Sequence, residues 1–143
     1  MKQSLINAYS MAHLHRLCFS KPWSVTDFGH YLQSEHHLVK FQASDIGMEA
    51  LIILQIIDNE AEIITFCTAP SLRRQGIGLG LLKRALDDLR VRCVSKVFLE
   101  VDYMNEAALR LYQTLGFAVV GIRKAYYDTD NGAHDANVLS LMI

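Results

Sequence analysis

The run Arg73-Arg74-Gln75-Gly76-Ile77-Gly78 combines two guanidinium groups with small residues whose backbone amides are unshielded, a combination that suits phosphate oxygens. An apolar, β-branched segment from Ala61 to Thr68 precedes it, and Ala69-Pro70 ends that segment by removing a backbone donor. After the glycines, Ile77, Leu81, Ala85, Leu86 and Leu89 recur at helical spacing, while Lys83, Arg84, Asp87, Asp88 and Arg90 take the opposite face. The order strand, turn, glycine loop, helix puts these amides at the positive end of a helix dipole. It predicts a pyrophosphate cradle.

Spacing separates the loops that could build such a cradle. A P-loop requires Lys-Ser/Thr after its last glycine, where this chain has Leu79-Gly80. A dinucleotide fingerprint requires a differently placed third glycine, and Gly76, Gly78 and Gly80 do not fit it, although Glu100 could serve as its acidic residue. Arg/Gln-x-x-Gly-x-Gly/Ala does fit.

The next forty residues add a strand, Lys96 to Val101, then Asn105 as a helix N-cap, a helix from Glu106 to Leu115 that carries Tyr112, and a stop at Gly116. Extended chain resumes through Phe117-Ala118-Val119-Val120-Gly121. Together with the glycine loop, Leu99-Glu100-Val101, Asn105, Ala108, Leu111-Tyr112 and Leu115-Gly116-Phe117 resemble the core of the GCN5-related N-acetyltransferases (GNAT). With Pro22-Trp23-Ser24 and Tyr126-Tyr127, the likeness is to the RimI-type branch and spans nearly the whole chain.

That resemblance implies a single N-acetyltransferase domain over residues 1–143. It implies an α/β (mixed α+β) fold, with a mostly antiparallel sheet, helices on both faces, and a V-shaped splay between two central parallel strands. Its cosubstrate would be acetyl-CoA. The acceptor would be a protein N-terminus, the alanine of a small-subunit ribosomal protein; a small amine, a lysine side chain, or a non-catalytic CoA-binding module are the alternatives. Carried onto this chain, the pantetheine arm falls to the main chain of Phe66, Cys67 and Thr68. The pyrophosphate falls to Arg73, Arg74, Gln75, Gly76, Ile77, Gly78 and Leu79, and a further cosubstrate contact to Asn105. Trp23, Tyr126 and Tyr127 would line the acceptor cleft. Two departures bear on acceptor choice: Asp128 follows Tyr127 where the family has proline, and His134 precedes Asp135 where it has an acidic pair.

Acyl transfer to an amine needs a base, because α-amines with a pKa of about 7.7 to 8.0 are mostly protonated at neutral pH. Glu100, among Phe98, Leu99 and Val101, could have its carboxyl raised by desolvation, or could simply pair with Lys96 or Arg123. The resemblance assigns it the base. Tyr112 could protonate the departing thiolate or merely pack on Ala108 and Leu109, and the resemblance assigns it the acid. Cys67 has no evident base beside it, so direct transfer through a ternary complex is expected.

The remaining composition bounds the partners. The chain has 143 residues, enough for one sizeable core, and a formal net charge of -1, which gives no support to nucleic-acid binding. Cys18, Cys67 and Cys93 lack disulfide or zinc spacing and suit a reducing cytoplasm. No apolar run is long enough for a membrane span, and no export signal is legible at the N-terminus. His13 and His15 fall on different helix faces and His36-His37 are adjacent, so exposed or capping roles are expected and no metal. Met11, Leu14, Leu17 and Cys18 predict one helical stripe. Ser24 opens a second helix through Phe28, Tyr31 and Leu32, and turns at Ser44–Gly47 and Asp58–Glu60 predict an antiparallel meander.

Overall fold

In the computed structural model, residues 2–129 and 132–143 are described, with the side chains of residues 2, 4, 5 and 125–129 outside the description. Short-range chemistry sets the element ends that matter here. Ser24 and Asp27 form a reciprocal capping box at the start of helix α2 (Val25–Gln33), which follows α1 (Lys2–Cys18). The strands β1 (His37–Ser44), β2 (Gly47–Ile57) and β3 (Glu60–Thr68) then form the expected meander.

A short turn leads from β3 to α3 (Ile77–Val91), and the crossover returns as β4 (Lys96–Asp102), parallel to β3. Next come α4 (Glu106–Thr114), β5 (Ala118–Thr129) and β6 (Gly132–Met142). The sheet has six strands in the order β1-β2-β3-β4-β6-β5, with β6 inserted antiparallel between β4 and β5. It is the mixed, mostly antiparallel sheet that the sequence predicts.

Each face of the sheet carries its own core. Ile52, Leu54, Leu81, Leu82, Leu89, Leu99 and Tyr112 join α3 and α4 to one face. Met11, Leu14, Phe28, Leu51 and Ile53 join α1 and α2 to the other. Strand β2 serves both, which is why Leu51 to Leu54 are apolar without alternation.

Two expectations for α1 are corrected. Leu17 is 55% exposed, while His15 takes the buried position at 3%. The helix turns Ala8, Met11, Ala12 and His15 inward at i, i+3, i+4, i+7 spacing, and Leu17 lies off that stripe. His15 is therefore neither exposed nor a cap. Its Nδ1 accepts the Trp23 N–H at 3.0 Å, so Nε2 carries the proton and donates to Thr65 Oγ1 at 2.9 Å. Burial pulls the imidazole down from 6.5 to about 4.

Strand β3 contains a bulge. Ile53 faces Thr65 and Leu54 faces Ile63, so Ile64 is the extra residue. Before it, Ala61 and Ile63 point to the α3 face; after it, Phe66 points there, while Cys67 joins the α1 face and Thr65 meets His15 of α1. Pairing of β3 with β4 ends just before the bulge, at Glu62 with Phe98. Twist added by the bulge and loss of pairing coincide, and the two parallel strands part from there.

Candidate active site

The parted strands form one wall of a slot. The Ala69 N–H donates to Glu49 O at 2.8 Å, so in this antiparallel ladder Cys67 and Ala69 turn their backbone groups toward β2. Phe66 and Thr68 consequently turn theirs toward the splay. Thr68 O there accepts Arg73 Nε at 3.3 Å and the Cys18 thiol at 3.4 Å. A shallow recess lined by Gln55, Asn59, Glu62 and Phe98 meets the splay only at its closed end.

The glycine loop adjoins the open end. Gly76 adopts φ +80° as the α3 N-cap, a left-handed conformation that favours glycine, and no side chain caps this helix. The first turn contains no acidic residue. Gly80 N–H bonds to Gly76 O at 3.0 Å, so the amides of Ile77, Gly78 and Leu79 precede the first such bond. A Cβ on Gly78 would lie 2.9 Å from Thr68 Oγ1 and 3.4 Å from the Phe66 ring, so the helix start packs directly on the slot wall. Helix dipole, free amides and slot share one corner.

Across the slot, β4 turns Phe98, Glu100 and Asp102 to the α1–α2 face while Val97, Leu99 and Val101 are buried on the other. Of the two partners the sequence allowed Glu100, the structure forms the pair with Arg123: Nη1 to Oε1 is 2.7 Å. Arg123 lies on β5 opposite Ala136, so its side chain reaches over β6 to hold the carboxylate's orientation.

Glu62 belongs to the same constellation and was missed from sequence. Burial first, then the negative Glu100, push its carboxyl up, with Arg123 acting in the opposite direction. Its signal was the charged residue between inward-facing Ala61 and Ile63, which marks the opposite face of the strand. Asp102 accepts the Met104 N–H at 2.9 Å and pairs with His134 Nδ1 at 2.8 Å. As a carboxylate only accepts, Nδ1 carries the proton in that pair. Carboxylates from β3 and β4 thus cluster with Arg123 and His134 on one face.

Tyr112 is 6% exposed, with its ring centroid 6.3 Å from Phe66 and 5.5 Å from Phe117, so α4 brings it to the slot wall from the α3 face. Asn105 caps α4 by accepting the Ala108 N–H at 3.2 Å. Trp23 stacks on His15 and Tyr31 with centroids 5.1 Å away, in a half-buried packing role. Tyr126 and Tyr127 fall on β5, but their side chains lie outside the described residues. The structure gathers Glu100, Tyr112, the Phe66 and Thr68 backbone and the glycine loop around one slot; the main-chain contact expected of Cys67 is corrected, because its backbone groups pair with β2, and Trp23 stays in the α1–α2 packing.

Residues 8–117 match the family described as Acetyltransferase (GNAT) family. Over 132 residues the chain is 37% identical to "[Ribosomal protein bS18]-alanine N-acetyltransferase" of Escherichia coli (strain K12), covering 92% of this chain and 88% of that one. The crystal structure of the ribosomal-protein-S18-alanine N-acetyltransferase from Escherichia coli superposes with a TM-score of 0.90 at 33% identity, covering 96% of this chain and 88% of the other. Arabidopsis thaliana NAA60 in complex with a bisubstrate analogue shares the fold, with a TM-score of 0.84 at 16% identity over 99% of this chain and 93% of the other. With fold and sequence in agreement, the chain belongs to the GNAT acetyltransferase family.

Proposed function

We propose that this chain, as one domain over residues 1–143, transfers acetyl from acetyl-CoA to the N-terminal alanine of ribosomal protein bS18, as a cytoplasmic enzyme without a metal. The observation that carries this reading is the near-complete match to the bS18-alanine enzyme of Escherichia coli. Among the described residues no helix is long and apolar enough to cross a membrane.

The residues present suit acetyl-CoA. Pyrophosphate oxygens would meet the amides of Gly76 to Leu79, with charge from Arg73 and Arg74, and the pantetheine amides would pair with the Phe66 and Thr68 backbone. When bound, acetyl-CoA supplies an activated carbonyl and a thiolate leaving group. Glu100 takes a proton from the acceptor ammonium, directly or through water, and the free amine attacks that carbonyl. The C–S bond then breaks, Tyr112 gives a proton to sulfur, and the second proton lost by the new amide nitrogen restores the phenol through solvent. A phenol with a pKa of about 10 is weakly acidic for this role, so positioning against the sulfur must supply the rest. The neighbouring Cys18 side chain, then burial, push the Cys67 thiol up, which disfavours a covalent route through it.

Three measurements test this reading. A peptide with the bS18 N-terminus should gain one acetyl mass, and the same peptide with a blocked α-amine should gain none; acetylation of lysines or free amines alone would overturn the assignment. Tyr112→Phe should lower kcat by about tenfold or more with little change in acetyl-CoA affinity, and unchanged kcat would remove Tyr112 from proton transfer. Gly78→Ala should weaken CoA binding by about tenfold, since its methyl group meets Thr68 Oγ1, while alanine's helix preference maintains the melting temperature. Unaltered affinity would separate the glycine from the cradle.

A further inference from the structure

Cys18 ends α1, and its Sγ reaches the Thr68 carbonyl that turns toward the splay. Arg73 donates to the same oxygen. Cys67, the residue before Thr68, belongs to the α1-face core against which Cys18 packs, so two thiols and a guanidinium come together beside Thr68. No step of acetyl transfer uses Cys18. The two thiols also differ: Cys18 is partly exposed and Cys67 is buried. The neighbouring Cys67 side chain, followed by Arg73, pulls the Cys18 thiol down to about 7 against the opposing effect of burial, whereas Cys67 is pushed up. An accessible thiolate beside a protonated thiol has the chemistry of reversible oxidation.

We propose that Cys18 is an oxidation site for hydroperoxides, that Cys67 is its resolving partner, and that the disulfide they form closes the acetyl-CoA slot. The Cys18 thiolate attacks the terminal peroxide oxygen; the O–O bond breaks, and protonation of the released oxygen leaves water or an alcohol and a sulfenic acid. The Cys67 sulfur then attacks the sulfenic sulfur, the S–O bond breaks, and water departs with the Cys67 proton. Two thiols have given two electrons to one peroxide. A disulfide of about 2.05 Å pulls the end of α1 onto β3 at Cys67, between Phe66 and Thr68, and so displaces the two residues whose backbone would hold the pantetheine arm. Only the effect on turnover rests on the acetyltransferase reading, because the crosslink itself does not require it.

The experiment uses the full chain carrying Cys93→Ser, which leaves these two thiols. Hydrogen peroxide near pH 7 should remove two hydrogens by intact mass and give a Cys18–Cys67-linked peptide, both reversed by dithiothreitol. Calorimetry should show acetyl-CoA affinity falling at least tenfold on oxidation and recovering on reduction. Cys18→Ser should keep its turnover and lose peroxide sensitivity, and Cys67→Ser should stop at a Cys18 sulfenic acid trapped by dimedone. Absence of the linked peptide overturns the proposed pairing, and a linked protein that binds acetyl-CoA normally overturns the closure. If the reduced protein binds no acetyl-CoA, the acetyltransferase reading fails instead, and the crosslink result still decides the pairing.

Discussion

Glu100→Gln should lower kcat by about a hundredfold or more, the usual contribution of a positioned general base, while acetyl-CoA affinity stays within about twofold. The substitution isolates proton transfer from architecture. A glutamine keeps the carboxamide oxygen that can accept Arg123 Nη1, now 2.7 Å from Glu100, and it leaves the buried alternation of β4 untouched. Arg123→Ala probes the other half of the pair, and it should reduce turnover less, because it frees the carboxylate's orientation without removing it. Steady-state kinetics with a bS18 N-terminal peptide, alongside calorimetry with acetyl-CoA, measure both effects. Wild-type turnover in Glu100→Gln would dismiss Glu100 as the base and direct attention to Glu62, whose raised carboxyl faces the same side.

Acidification should destabilise the protein through His15. Its folded value of about 4 lies below the ordinary 6.5, so between these two values the unfolded chain binds a proton that the folded protein excludes. Stability is unaffected by this residue above pH 6.5 and falls as pH drops toward 4, by about 3 kcal/mol in total. The structural cause is specific: the ring accepts from Trp23 at Nδ1, so protonation there would set two N–H donors against each other. Burial lowers His37 in the same direction, with His36 adding to it, so the wild-type curve holds more than one contribution. Urea titrations at pH 7.5 and 5.0 on the wild type and on His15→Gln isolate the term. The variant should be weaker at pH 7.5 and lose less on acidification, and equal losses in both proteins would exclude His15 as the cause.

Features governed by neighbours along the chain were legible in the sequence. The glycine loop that opens α3, the start of α2 at Ser24, the Asn105 cap and the apolar run of β2 each follow from a few adjacent residues, and each stands where the sequence puts it. What sequence reading missed depends on residues far apart. His15 reads as a polar helix residue until Thr65, fifty positions on, supplies its partner. Glu100 and Arg123 are separated by a helix and a strand turn, and nothing local selects Arg123 over Lys96. The extended course of β5 past Gly121 was also missed, because its pairing with β6 shifts register twice and blurs the two-residue alternation.

The extra residue Ile64 makes β3 a strand with two phases. Removing that one residue would restore plain alternation and leave Phe66, Cys67 and Thr68 on their present sides, but it would take away the added twist at the point where β3 leaves β4. Hairpin turns elsewhere in the chain can absorb a change of length. This stretch can do so only by losing the bend that parts the strands, so among relatives its residue count should stay constant even where its letters drift, a constraint on length rather than on identity.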